Sequence, residues 1–147
     1  MSEEKTILNT ALYYANILGF SIIPVGKDKK PLVAWQQYQT TKATEEQIKR
    51  WFESPDVNIG VVTGAISGIV VVDVDKTDLD IGQSLPKTIQ SRTGKGGSHF
   101  FYKHPGFNVK TRVGILPNVD IRGDGGYVVM PPSQHQNGNY YSWIVSW

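Results

Sequence analysis

The sequence predicts an α+β fold with a mainly antiparallel sheet. Helical periodicity is confined to the first third of the chain, many short apolar runs follow, and glycine turns separate those runs. Strands gathered after helices, rather than alternating with them, argue against a doubly wound sheet. A chain of 147 residues, 39% hydrophobic and 19% charged, can bury one substantial core.

Ser2 to Leu18 reads as a helix, because Leu8, Ala11, Leu12, Ala15 and Leu18 recur at three- and four-residue spacing. Glu3 and Glu4 suit its positive end, and Gly19 stops it. Phe20 to Val25 reads as a strand, followed by a loop from Gly26 to Lys30. Thr44-Glu45-Glu46-Gln47 is a capping box opening a second helix, with Ile48, Trp51 and Phe52 on its buried face. Ser54-Pro55-Asp56 ends that helix, and Asn58 to Val62 is a short strand running to Thr63-Gly64.

Gly68 to Asp75 is an apolar strand ending in two carboxylates. Thr77 to Ser84 reads as a helical turn or an irregular connection, limited by Pro86. Thr88 to Thr93 reads as a strand, Gly94-Lys95-Gly96-Gly97 as a tight loop, and Ser98 to Tyr102 as the next strand. Asn108 to Ile115 is ambiguous. Val119 to Arg122 is a strand, Gly123 to Gly126 a turn, and Tyr127 to Met130 a strand stopped by Pro131-Pro132. Tyr140 to Ile144 reads as a last strand, paired through the Asn137-Gly138-Asn139 turn. Trp35, Trp51 and Trp143 are expected in the core, and His104 and His135 on the surface.

No internal repeat or linker divides the chain. One domain spanning 1–147 is expected, with an α/β unit over roughly 1–65 and a catalytic core over roughly 66–147. The absence of cysteine excludes disulfides and Cys-ligated zinc or iron–sulfur sites. No apolar run is long enough to span a membrane, and Met1-Ser2-Glu3-Glu4 does not open a signal peptide, so a cytoplasmic protein is expected. A net charge of +2 is mildly basic. Lys27, Lys29, Lys30, Arg92, Lys95, Lys103, Lys110, Arg112 and Arg122 fall mostly in glycine-rich or loop contexts, where they could line a phosphate-binding groove.

The chemistry concentrates on three strands. Side chains alternate along a strand, so Asp73 and Asp75 share a face, His99 shares one with Phe101, and Asp120 shares one with Arg122. Two strand steps separate the α-carbons of Asp73 and Asp75 by about 7 Å. Carboxylates beside apolar neighbours are costly without a cation or donors. If the three strands are neighbours, their acids suit Mg²⁺ or Mn²⁺, and two such ions would serve in-line displacement at phosphorus. Arg122 can pair with a triphosphate as a planar fork, and His99 with the backbone of the Gly94–Gly97 loop can donate to the same phosphates.

These residues resemble the N-terminal bifunctional primase–polymerase domain of the archaeo-eukaryotic primase superfamily, typical of plasmid and phage replication proteins. The resemblance runs through Ile23-Pro24-Val25, Lys30-Pro31, Trp35, Asn58-Ile59-Gly60 and Thr63-Gly64. It is strongest in Val72-Asp73-Val74-Asp75, Gly97-Ser98-His99 and Val119-Asp120-Ile121-Arg122, followed by Gly125-Gly126-Tyr127 and Pro131-Pro132-Ser133. It implies a core like an RNA-recognition motif, preceded by a small helix/strand unit. Asp73, Asp75 and Asp120 would be the catalytic, metal-binding acids. Ser98 and His99 would hold nucleotide phosphates beside Arg122, with Lys30 and Ser133 as further contacts.

Implied with these are nucleoside triphosphates, a single-stranded or primed DNA template, a two-metal site of Mg²⁺ or Mn²⁺, and a downstream helical domain and helicase that assist in relatives. The chain is expected to be the catalytic domain of a longer replication protein. Some relatives carry a zinc-binding insertion between the first two motifs; here Lys76 to Lys95 is short and lacks cysteine, so no zinc is expected. Template-directed nucleotidyl transfer is the leading expectation. A metal-dependent nuclease or phosphoesterase using the same acids, and a non-catalytic single-strand-binding initiation module, are the alternatives.

Overall fold

A computed structural model describes residues 3–76 and 81–147 of the chain. Among them are helices α1 (Glu3–Asn16) and α2 (Glu45–Trp51). The strands are β1 (Ser21–Val25), β2 (Asn58–Val62), β3 (Ile69–Val74), β4 (Ile89–Arg92), β5 (Ser98–Lys103), β6 (Arg112–Leu116), β7 (Val119–Arg122), β8 (Tyr127–Val129) and β9 (Ser142–Val145). The fold is α+β, its strand pairings antiparallel throughout the named strands. No helix among the described residues is long and apolar enough to cross a membrane.

The strands form a three-stranded sheet in the order β1-β2-β8 and a six-stranded sheet in the order β6-β7-β3-β5-β4-β9. Within the larger sheet, β7-β3-β5-β4 places the first strand between the third and fourth and the second outermost. That is the strand order of an RNA-recognition motif. Its connections differ, since a 3-10 turn at Ile81–Ser84 and the β6 strand stand in the crossovers. The part of the expected connection at 77–80, including Asp78 and Asp80, lies outside the described residues.

α1 buries Ala11 and Tyr14, with Leu8, Leu12, Ala15 and Leu18 packed alongside, as the periodicity requires. Gly19 turns the chain at φ +74°, a conformation that favours glycine. The α2 capping box is complete: Gln47 N–H donates to Thr44 Oγ1 at 3.2 Å, and Thr44 N–H donates to Gln47 Oε1 at 2.9 Å. Thr44→Ala is expected to lower stability by about 1 kcal/mol, read as a lower urea midpoint at unchanged slope.

The main core lies between the sheets. Ile22, Ile59, Val61, Val128 and Met130 meet Ile69, Val71 and Phe101, with α1 and α2 closing the cluster. Each such buried side chain contributes about 1.5–3 kcal/mol. The outer face of the small sheet buries Ile23, Val25, Val62 and Val129 with Tyr38 and Tyr141. Val74, Phe100 and Val119 form a lesser cluster on the far face of the large sheet.

Two local expectations are corrected. The last strand does not pair with Tyr127–Met130: β8 completes the small sheet, whereas β9 pairs with β4 in the large one. The Asn137-Gly138-Asn139 turn instead closes a short local pairing around the Gln134–Tyr140 bridge, with His135 N–H donating to the Asn139 carbonyl and Tyr141 N–H to the Ser133 carbonyl, each at 2.8 Å. Burying both faces of β8 and the Trp143 side chain of β9 outweighs the local preference for a hairpin. Of His104 and His135, both expected on the surface, His135 is buried at 3% exposure and His104 is half-buried, its side chain covered against Asp124.

Candidate active site

The register of the large sheet aligns polar residues into one row. Asp73 of β3 stands opposite Asp120 of β7 on one side and His99 of β5 on the other, and His99 stands opposite Ser91 of β4. Because alternate residues share a face, this row continues the surface that carries Ile69, Val71 and Phe101 two and four residues away. The inter-sheet core therefore gives way, along the same strands, to a row of acids and imidazole.

A cavity of about 200 Å³ opens over it. Asp73, Asp75, His99 and Arg122 line it from the large sheet, and Tyr127, Val128 and Val129 of β8 line it from the small one. Loops supply Lys29, Thr93, Lys95, His135 and Tyr141. The Gly26–Lys30 turn carries Lys29 at φ +72°, and Tyr127 Oη donates to the Lys29 carbonyl at 2.7 Å. That bond anchors the turn at the rim of the cavity.

Asp73 is the centre of the charge network. His99 Nε2 lies 3.3 Å from its Oδ1, and Arg122 Nη2 lies 3.6 Å from its Oδ2. Burial raises the Asp73 pKa, but the His99 hydrogen bond and charge, then Arg122 and Lys29, outweigh it and hold the carboxyl below its ordinary range. The same Arg122 nitrogen donates to Asp120 Oδ2 at 3.0 Å, and Gly114 N–H donates to Asp120 Oδ1 at 2.8 Å. Tyr141, buried and facing the charge of Asp73, is pushed up to about 12 and stays a neutral hydroxyl.

Among the described residues no three His, Cys, Asp or Glu side chains form a ready metal cluster. Arg122 and His99 occupy the facing oxygens of Asp73 and Asp120 instead. The donor chemistry still fits a hard divalent ion: Asp73 and Asp75 both present carboxylates to the cavity, and Asp120 sits directly across the strand pair.

The other expected contacts are distributed differently. Ser98, alternating with His99, accepts a hydrogen bond from Gln90 Nε2 at 3.2 Å and does not line the cavity. Ser133 is fully buried, its hydroxyl accepting Ile59 N–H at 2.8 Å. Lys30 is exposed and does not line the cavity, whereas its neighbour Lys29 does. Two N–H groups of the Gly94–Gly97 loop are engaged internally, Gly96 with the Thr93 carbonyl at 3.0 Å and Gly97 with Thr93 Oγ1 at 3.0 Å. Of the basic residues singled out in loops, Lys29, Lys95 and Arg122 reach the cavity. Thr93, His135 and Tyr141 carried no signal of their own in the sequence, and Tyr127 only as part of the Gly125-Gly126-Tyr127 run.

The cavity brings the carboxylates of Asp73 and Asp75 together with the cations Lys29, Lys95 and Arg122, a set able to meet a phosphorylated ligand beside a divalent ion. A search of curated proteins returns no match. The family model for the N-terminal domain of bifunctional DNA primase/polymerase matches residues 11–146. That span takes in every strand of both sheets and every cavity-lining residue, and the chain belongs to the bifunctional DNA primase/polymerase N-terminal (Prim-Pol) family.

Proposed function

We propose that the domain catalyses metal-dependent, template-directed nucleotidyl transfer, adding nucleotides from nucleoside triphosphates to a DNA 3′ end. The observation that carries this reading is the cross-strand row Asp120–Asp73–His99 beneath a cavity rimmed by Lys29, Lys95 and Arg122. Family membership points the same way, to DNA primase/polymerase chemistry.

Asp73, Asp75 and Asp120 would hold Mg²⁺ or Mn²⁺, which supplies Lewis-acid stabilisation of phosphoryl oxygens when bound. The chain's own groups do the rest. Asp73 stays ionised at neutral pH because its pKa is lowered. Through Oδ1 it holds the His99 ring, which then faces the phosphates in a fixed orientation. Arg122, paired with both acids, has further guanidinium donors to offer a phosphate as a planar fork. Lys29 and Lys95 offset the remaining negative charge. The template would lie in a basic groove beside the cavity, with an affinity that falls as salt rises.

The test is extension of a labelled primer on a longer template, with ribo- and deoxynucleoside triphosphates supplied separately. Incorporation with Mg²⁺ or Mn²⁺, abolished by EDTA, is the expected result. Release of nucleotides from labelled DNA without any triphosphate would instead identify a nuclease. DNA binding unaffected by EDTA, with no incorporation, would identify a binding module.

A further inference from the structure

Three buried side-chain atoms among the described residues have no hydrogen-bond partner: Ser91 Oγ, His99 Nδ1 and His135 Nε2. They are not scattered. His99 and His135 both line the cavity, and Ser91 is the cross-strand partner of His99. An orphaned buried polar atom loses its hydration without gaining a replacement bond, and native proteins hold few of them. Two of the three belong to residues that line the same cavity, which points to a ligand there that satisfies them.

His135 is the most sharply defined of the three. Asn137 N–H donates to its Nδ1 at 3.1 Å, so the neutral ring carries its proton on Nε2, the atom without a partner. The ring is 3% exposed and firmly seated. Asn137 Nδ2 and Asn139 Nδ2 both donate to the Gly94 carbonyl, at 3.0 and 3.1 Å. Asn58 Nδ2 donates to the Gln134 carbonyl at 2.6 Å. A Cβ added at Gly94 would stand 2.3 Å from the His135 Cβ, so only glycine admits the ring there. The result is a preorganised, buried N–H donor on a residue that lines the cavity, whose other polar walls include Lys29, Lys95 and Arg122 beside Asp73 and Asp75. Cations and a fixed donor together select an anionic, oxygen-rich group.

We propose that His135 is a nucleotide-binding residue, donating its Nε2–H to an oxygen of the pyrophosphate portion of the nucleoside triphosphate. His135 touches the ligand directly, and the Gly94 contact and the two asparagines position it. This rests on the nucleotidyl-transfer reading and deepens it.

The experiment measures binding of pyrophosphate, and separately of thymidine, to the whole chain in the presence of Mg²⁺ by calorimetry. His135→Ala should weaken pyrophosphate binding about tenfold. His135→Gln, whose amide nitrogen falls near the place of Nε2, should retain most of it. In the wild type with ¹⁵N-labelled histidine, the His135 Nε2 resonance should shift on adding pyrophosphate, a readout that does not depend on a variant folding. Equal pyrophosphate affinity in wild type and His135→Ala, or an unmoved Nε2 resonance while pyrophosphate binds, overturns the assignment and leaves the nucleotidyl-transfer reading intact. An Nε2 response to thymidine but not to pyrophosphate overturns it in favour of a sugar or base contact. A wild type that binds neither pyrophosphate nor any nucleoside triphosphate overturns both.

Discussion

Asp73→Asn is expected to lower nucleotide incorporation about a thousandfold, the scale seen when a preorganised electrostatic group is removed from a reacting centre. Asp73 is the residue that both neighbouring strands address, facing Asp120 and His99 at once. Its carboxylate meets His99 at 3.3 Å and Arg122 at 3.6 Å, and it opens to the cavity. The asparagine keeps the shape and one acceptor oxygen but removes the charge. Arg122 keeps Asp120 as its partner at 3.0 Å, so the fold should survive. Template affinity, which depends on cations, should hold or rise slightly. Primer extension with parallel DNA-binding and circular dichroism measurements separates these effects. Incorporation by Asp73→Asn equal to wild type would remove the acid row from the chemistry.

The largest effect on stability is expected at Asp124. Its Oδ1 accepts Ala65 N–H at 2.9 Å, and its Oδ2 accepts Val109 N–H at 2.8 Å while His104 Nε2 stands 3.1 Å away. One carboxylate thus ties the end of β2, the end of β5 and the approach to β6, immediately after the strand that carries Arg122. It leaves no room for a side chain at Gly64, where a Cβ would stand 2.5 Å from Asp124 Oδ1. Asp124→Ala strands two backbone donors and His104, and should cost about 3 kcal/mol. Asp124→Asn should fall between, because one of its ends must turn a donor toward another donor. Urea denaturation measures both.

The same group sets an acid limit. Burial raises the Asp124 pKa, but the N–H groups of Ala65 and Val109 and the His104 side chain outweigh it and hold the carboxyl below its ordinary range. A depressed folded-state pKa contributes stability that is fully present above the unfolded value, about 3.9, and is lost as pH falls through the folded one. Asp73 acts in the same sense. The wild type should therefore lose stability below about pH 4, and Asp124→Ala should show a shallower acid loss from a lower starting point.

Much of this was legible in the chain. The α2 capping box, the α1 apolar stripe and strands β1 to β5 and β7 follow from caps, periods and glycine turns that act over a few residues. Pairing of β9 was not, because local turn chemistry proposed a hairpin and long-range burial of Trp143 against Tyr14 and Phe101 decided otherwise. The acids and Arg122 stood out because charges ending apolar strands are costly without a purpose. His135 did not stand out. It lies in a polar loop, and only docking of that loop on Gly94 buries it.

By itself, then, the sequence determined which residues share a strand face, since alternation is a property of the backbone and needs no partner. It placed Asp73 with Asp75 and Asp120 with Arg122 before any sheet was known. Only the tertiary structure decided register: that Asp73 meets His99 and Asp120 rather than their neighbours, and that one arginine bridges two acids. It also decided which loops close over the row, bringing Lys29, His135 and Tyr141 to one cavity from distant parts of the chain. Those contacts are set by the packing of two sheets, a property of the whole core that no short stretch of sequence contains.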